Sequence, residues 1–251
     1  MRRLAFAALF VAAYLVFMVA LLPASFVASR LPQWTQGAVQ LLRPEGTVWN
    51  GSGALTLATV AGPLAIDHVR WRLLPARFFL GRMEFDVTAT AGAARADGRV
   101  ARNWSSWKVS GNALADAAGA AQLFPLLSTW RPEGRLALDV ARASWNGSEL
   151  RGSAGLAWDD AAVAFSDVRP LGSYRVELRG TGGPARFTLL TTKGPLQLTG
   201  HGTVTPQGRV EFAGNARAEG THAASLEPVL KLLGPRRPDG AHGLSWPPGA
   251  R

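Results

Sequence analysis

An all-β fold is what this sequence predicts: a mainly antiparallel, curved sheet or half-barrel of two duplicated halves, with few short helices, preceded by one transmembrane helix. Three observations carry that expectation. The chain opens on an uncharged run of 19 residues, strict alternation of apolar and polar residues dominates the chain beyond that run, and four short segments recur in the same order 96 to 106 residues apart.

The opening run is Leu4 to Leu22, with Tyr14 its one partly polar member. As a helix rising 1.5 Å per residue it reaches about 28 Å, close to the thickness of one hydrocarbon core. Arg2 and Arg3 precede it. Cationic flanks stay in the cytoplasm, so residues 1–3 form a cytoplasmic stub and the rest of the chain is exported. A cleaved signal peptide is the rival reading. Its apolar region is only roughly 7–15 residues and ends in a small-x-small site. Here Leu22-Pro23-Ala24 and Phe26-Val27-Ala28 both put a large residue three positions before the cut. An uncleaved single-pass anchor in the inner membrane, with the main domain in the periplasm, is therefore expected. Residues 23–45 read as a juxtamembrane linker, in which Gln33–Leu42 forms an amphipathic turn or two with Trp34, Ala38, Leu41 and Leu42 on its apolar side.

The recurrences organise the exported part. Trp49-Asn50-Gly51-Ser52 returns as Trp145-Asn146-Gly147-Ser148, and Gly111-Asn112-Ala113 as Gly214-Asn215-Ala216. Ala120-Ala121-Gln122-Leu123-Phe124-Pro125 returns as Ala223-Ala224-Ser225-Leu226-Glu227-Pro228, and Arg131-Pro132-Glu133-Gly134 as Arg237-Pro238-Asp239-Gly240. Two β repeats are expected, 46–141 and 142–240, with a flexible tail at 241–251. Inside each, Met83, Phe85, Val87 and Ala89 alternate with polar residues, as do Leu136, Leu138 and Val140, then Tyr174, Val176 and Leu178. A period of two buries one face of a strand and wets the other. Asn50-Gly51, Asp97-Gly98, Asn146-Gly147, Gly182-Gly183-Pro184 and Pro206-Gln207-Gly208 supply the turns of an antiparallel meander. Ala117–Leu127 and Ala223–Leu233 carry leucine at helical spacing, with Gly234 placed to stop the second.

Composition narrows the chemistry. Cysteine is absent, which removes disulfides, thiolate metal sites and cysteine nucleophiles. The net charge of +10 is spread evenly, with 12 basic against 8 acidic residues in 30–141 and 13 against 9 in 142–251. Nucleic-acid binders concentrate such charge on a stripe or arm, so no nucleic-acid partner is expected; weak attraction to anionic membranes fits better. His68, His201, His222 and His242 have no second ligand at metal-binding spacing, and no nucleophile elbow, phosphate loop or zinc helix occurs. Asp159-Asp160 is the one acidic pair, and adjacent strand residues face opposite ways. No catalytic, metal or cofactor site is expected. Six of the nine tryptophans fall in or beside strands, as cross-strand packing or as a surface for a partner or lipid.

The anchor followed by Gly46-Thr47-Val48-Trp49-Asn50-Gly51-Ser52-Gly53-Ala54 resembles the type II secretion system protein N family. The likeness continues through Trp71-Arg72-Leu73-Leu74-Pro75 and ends at Leu226-Glu227-Pro228-Val229-Leu230-Lys231-Leu232-Leu233-Gly234 and Pro238-Asp239-Gly240. A short tail rich in arginine and proline departs from it. The resemblance implies a bitopic accessory component of the machine that exports folded proteins across the outer membrane. Its partners would be the outer-membrane secretin or inner-membrane platform proteins, and no catalytic residue or cofactor carries over. The candidate partner or structural residues are Gly46, Trp49 and Gly51, read as a turn with an aromatic plug, together with Trp145, Gly147, Leu226, Pro228 and Gly234. A sheet greasy on one face also resembles lipid-handling proteins of the AsmA type. A closed, packed core would favour the assembly role, and an open trough would favour bound lipid.

Overall fold

The structure, a computed structural model, describes residues 2–59, 62–74, 83–121, 129–205 and 209–246. Two helices come first, α1 (Arg2–Ala20) and α2 (Ala24–Trp34). The strands β1 (Val39–Gly46), β2 (Asn50–Thr59), β3 (Gly62–Leu73), β4 (Met83–Ala91), β5 (Ala94–Arg102) and β6 (Trp107–Asp116) come next, closed by the short helix α3 (Ala117–Ala121). A second run comprises β7 (Glu133–Trp145), β8 (Leu150–Ala162), β9 (Gly172–Thr181), β10 (Ala185–Lys193), β11 (Leu196–Val204) and β12 (Val210–Ala218). Helix α4 (Ala223–Leu233) and β13 (His242–Trp246) complete the fold.

All thirteen strands form one open antiparallel sheet in strict sequence order, each paired with its chain neighbours. Antiparallel neighbours need only tight connections, and the alternating sequence supplies the strands, so a meander is the direct product of the pattern. The recurring sequence segments fall on elements six strands apart. Gly111-Asn112-Ala113 lies in β6 and Gly214-Asn215-Ala216 in β12; each strand is followed by a helix, then by Arg-Pro and an acidic residue that opens β7 or shortly precedes β13.

Two local expectations are corrected. The helix near the linker lies earlier, at Ala24–Trp34, and Val39–Gly46 is a strand. Val39 and Leu41 sit opposite Leu57 and Leu55, and the Ala58 amide donates to the Ala38 carbonyl at 2.8 Å, so period two prevails there. Residues 242–246, expected in a flexible tail, form a strand, because Gly214 and Ala216 of β12 pair with Leu244 and His242 of β13. The helix expected over Ala117–Leu127 is present at Ala117–Ala121; residues 122–127, like Pro75, residues 206–208 and residues 247–251, lie outside the described residues.

Helix α1 runs for 19 residues with Leu9, Phe10 and Phe17 exposed. Among the described residues no helix is long and apolar enough to cross a membrane, and the side chains of residues 2–5, 7, 8 and 12 lie outside those described. The main hydrophobic core occupies one corner, where Leu226, Val229 and Leu230 of α4 pack on Val163, Val168, Leu171, Leu196 and Ala216. Trp158, Leu198 and Leu244 close its margin.

Candidate functional site: one uncovered apolar face and the two places that close it

The register of the sheet assigns every strand residue to one of two faces. One row runs through all thirteen strands, from Gly46 through Gly51, Trp71, Val87, Gly98 and Gly111 to Val140. It goes on through Ala154, Leu178, Phe187, Gly202 and Phe212 to Trp246. The next row on the same face passes through Val69, Ala89, Ala96 and Ala113 to Leu138, Leu156, Val176 and Leu189. Neither row contains a charge. On the other face Arg70, Thr88, Asp97, Asn112 and Asp139 stand side by side, and Arg72, Asp86 and Arg99 form the row beside them.

The polar face stabilises itself through ion pairs. The Arg99 guanidinium lies 2.9 Å from Asp86 and 3.1 Å from Glu84, whose side chain is nearly buried. The hydrogen bond and charge of Asp86, with the charge of Glu84 added, raise Arg99 further above its ordinary pKa. A concavity of about 470 Å³ opens mainly on this face, lined by Asn112, Asp139, Ser153, Glu177 and Arg179. Among the described residues no three His, Asp or Glu side chains converge as a metal site.

The apolar face is covered only in part. Leu138 is 40% exposed, Leu156 37%, Trp145 45% and Trp246 52%. Its relief is low because rings lie flat on glycines. A Cβ at Gly200 would stand 2.5 Å from the Phe212 ring, and the Phe187 ring fills the space that a side chain at Gly202 would need. Phe187 and Phe212 themselves stack with centroids 5.8 Å apart and an interplanar angle of 11°.

At one end the face begins at the β1–β2 hairpin. Gly46 has φ +80, a left-handed conformation natural to glycine. A Cβ on Gly51 would meet the Trp71 ring at 2.5 Å and the Glu45 carbonyl oxygen at 2.6 Å. The Trp71 Nε1–H donates to the Val48 carbonyl at 3.0 Å, making Trp71 the plug that sequence reasoning assigned to Trp49. Trp49 has a different task. Its Nε1–H donates to the Val19 carbonyl at 2.8 Å, and the Val48 amide donates to Leu22 at 2.9 Å, so the hairpin is tied to the end of α1.

The second Trp-Asn-Gly-Ser is not the spatial counterpart of the first. Trp145 ends β7, opposite Leu150 and Trp107. Asn146 Oδ1 accepts the amides of Ser148 at 3.1 Å and Glu149 at 2.8 Å, with Gly147 in open space at φ +100. The first motif straddles the end of its turn and the second opens its turn, so the hairpins correspond while the motifs are out of phase.

At the far end α4 closes the corner. Leu226 is fully buried, Pro228 lies on the exposed side of the helix, and Gly234 terminates it. A side chain at Gly234 would collide with the Gly243 carbonyl. Nearby, buried His242 bonds through Nδ1 to the Gly234 carbonyl at 2.8 Å, and the Gly243 amide donates to Pro235 at 2.9 Å. The candidate residues thus form two separate groups, Gly46, Trp49 and Gly51 at one end and Leu226, Pro228 and Gly234 at the other. Trp145 and Gly147 belong to neither. The two uncharged rows escape a strand-by-strand reading; a tabulation of alternate positions lacking charge would have found them.

The sequence pattern of type II secretion system protein N matches residues 37–245. The chain belongs to that family. The match starts two residues before β1 and stops one residue before the end of β13, so it spans the sheet and leaves both α1 and α2 outside. As a type II secretion system protein N, the chain is associated with the machinery of protein secretion. Neither the curated proteins nor the solved structures contain a match to it.

Proposed function

We propose that this protein is an accessory, non-catalytic component of the type II secretion machinery that supports export of folded proteins by contacts with its other parts. The observation that carries the reading is the family match across the whole sheet, residues 37–245. In this reading Leu4 to Leu22 anchors the chain once in the inner membrane, residues 1–3 stay in the cytoplasm and the sheet stands in the periplasm. The uncharged 19-residue run behind Arg2 and Arg3 supports that orientation. The outer-membrane secretin and inner-membrane platform proteins are the proposed partners. Residues 46–141 and 142–240 are two β repeats, a reading supported by matched segments on elements six strands apart.

Deleting the gene is expected to trap exoproteins in the periplasm, and the full chain supplied in trans is expected to release them. Normal export in a strain with no redundant component overturns the assignment. Alkaline phosphatase fused after Trp246 is expected to be active; an inactive fusion, with its activity restored by moving the junction into residues 1–3, reverses the topology.

A further inference from the structure

We propose that the apolar face of the sheet is a track for the acyl chains of membrane phospholipid, entered at the β1–β2 hairpin. The entry point rests on the membrane placement proposed above; the track itself does not.

Exposed area is the first argument. A compact protein of 26.6 kDa has an accessible surface of about 10,700 Å² by the usual scaling with mass. This chain has 16764 Å². Helix α1, about 28 Å long, and the open sheet both contribute to the excess. Outside the α4 corner, half-exposed Leu138, Leu156, Val109 and Trp145 lie on a face whose two central rows carry no charge. An apolar surface of this extent needs an occupant.

Relief and size select the occupant. Protein partners anchor by seating large side chains in pockets. This face instead presents alanine and glycine across β4 to β6, at Ala89, Ala96, Ala113, Gly98 and Gly111, and lays rings over Gly51, Gly200 and Gly202. A smooth surface without hydrogen-bonding groups suits flexible hydrocarbon. Strands about 4.8 Å apart make thirteen of them about 58 Å long; with alternate residues about 6.8 Å apart, the two central rows and the flanking rows through Phe85, Val100 and Val109 and through Ala115, Leu136 and Trp158 span about 20 Å. One leaflet's hydrocarbon is about 15 Å thick, so a chain fits across or along the track.

Position and charge agree with that occupant. The track begins at Gly46, Gly51 and Trp71, in the hairpin hydrogen-bonded to Val19 and Leu22 at the end of α1. At the strand ends bordering the face, the Arg102 guanidinium lies 4.5 Å over the Trp107 ring, a cation beside an aromatic where a phosphate would sit.

The test uses the full chain in vesicles of phosphatidylethanolamine and phosphatidylglycerol, doped with a phospholipid carrying a diazirine in one acyl chain. After irradiation, mass spectrometry is expected to find label on Leu138, Leu156, Val176 and Leu189 at least tenfold above that on Asn112 and Thr188 of the polar face. Leu156→Asn together with Val176→Asn is expected to cut sheet labelling at least fivefold while labelling of α1 is unchanged. Glu177→Gln, on the opposite face, serves as the control that leaves it unchanged. Should the double variant fail to fold, the face-to-face comparison in the native chain still decides. Label confined to α1, or equal on both faces, overturns the proposal; so does a face-to-face dimer that shields Leu138 and Leu156. Exoprotein export by the same variants separates the two readings: unlabelled sheet with normal export removes the track alone, and labelled sheet without any export role removes the secretion reading alone.

Discussion

Replacing Leu226 by alanine separates the covered corner from the uncovered face. Leu226 is fully buried among Val163, Val168, Leu171, Leu196 and Ala216, which come from a loop and two strands. Three segments pinned by the sheet cannot all collapse into the space left by the lost methyl groups. Leucine-to-alanine changes in such sites cost about 2.7–5.0 kcal/mol, the larger values where collapse is poor. A cost of about 4 kcal/mol is expected here. For a domain of this size that lowers Tm by roughly 8–16 °C. The companion is Leu156→Ala, 37% exposed in a strand interior on the open face. It removes methyl groups that already touch solvent, so about 1 kcal/mol is expected. Urea denaturation of both variants, followed by far-ultraviolet circular dichroism and tryptophan fluorescence, gives the two values on one scale. Amide exchange adds location: Leu226→Ala should accelerate α4 and β13 before β2 to β6, because the corner is the unit that loses its packing. Equal losses within about 0.5 kcal/mol, or exchange rising uniformly, would mean the two regions are packed alike and the description of the faces is wrong.

The same geometry yields three further outcomes. Gly51→Val drives a side chain into the Trp71 ring and the Glu45 and Thr47 carbonyls, so a loss of about 1–3 kcal/mol with a shifted tryptophan spectrum is expected by urea titration. Gly234→Ala should be worse than Gly147→Ala, since the first places a Cβ on the Gly243 backbone and the second meets nothing within 4 Å and pays only for its left-handed turn; thermal melts of both rank them. Burial pushes the Tyr174 phenol upward, while its hydroxyl donates to the Leu196 carbonyl at 3.2 Å. The unfolded phenol therefore loses its proton first, and this contribution is intact below about pH 10 and declines above it by up to about 1.4 kcal/mol per pH unit. The difference in stability between native chain and Tyr174→Phe, measured from pH 8 to 11.5, should shrink above pH 10; a constant difference refutes it.

The period of two in Met83–Ala89, Leu136–Val140 and Tyr174–Leu178 is enough to read an antiparallel all-β chain, because alternation is a local property that survives whatever the strand packs on. Positions that depend on neighbours are less legible. Val39–Gly46 contains Pro44 and only a short alternation, and it becomes a strand because β2 offers Leu55 and Leu57 opposite Leu41 and Val39. His242–Trp246 contains two apolar residues in five and looks like a tail until Gly214 and Ala216 supply its partners. The repeated Trp-Asn-Gly-Ser marks two corresponding hairpins truthfully, yet its tryptophans do different work. A hairpin fixes strand order by being tight, and it can be tight in two phases of the same four letters.

The candidate site is the least legible part for a related reason. A face exists only once strands are in register, and one residue of slip exchanges its members. The glycines of the apolar rows carry no sequence signal by themselves, since Gly98 reads as a turn with Asp97 and Gly202 as one more small residue. Register puts Gly98 beside Val87 and Gly202 under Phe187, and there each becomes part of a continuous uncharged surface. Keeping thirteen strands in phase requires the bulges at Leu42, Val109, Val140 and Trp158, which absorb odd residues so that the rows on either side stay on one face. An insertion of one residue between Val140 and Arg142, which already hold a bulge, should therefore be tolerated, whereas the same insertion within Leu136–Val140 should turn the far end of β7 over and expose Asp139 to the apolar side. That contrast separates a sheet whose faces matter from one that is only a spacer.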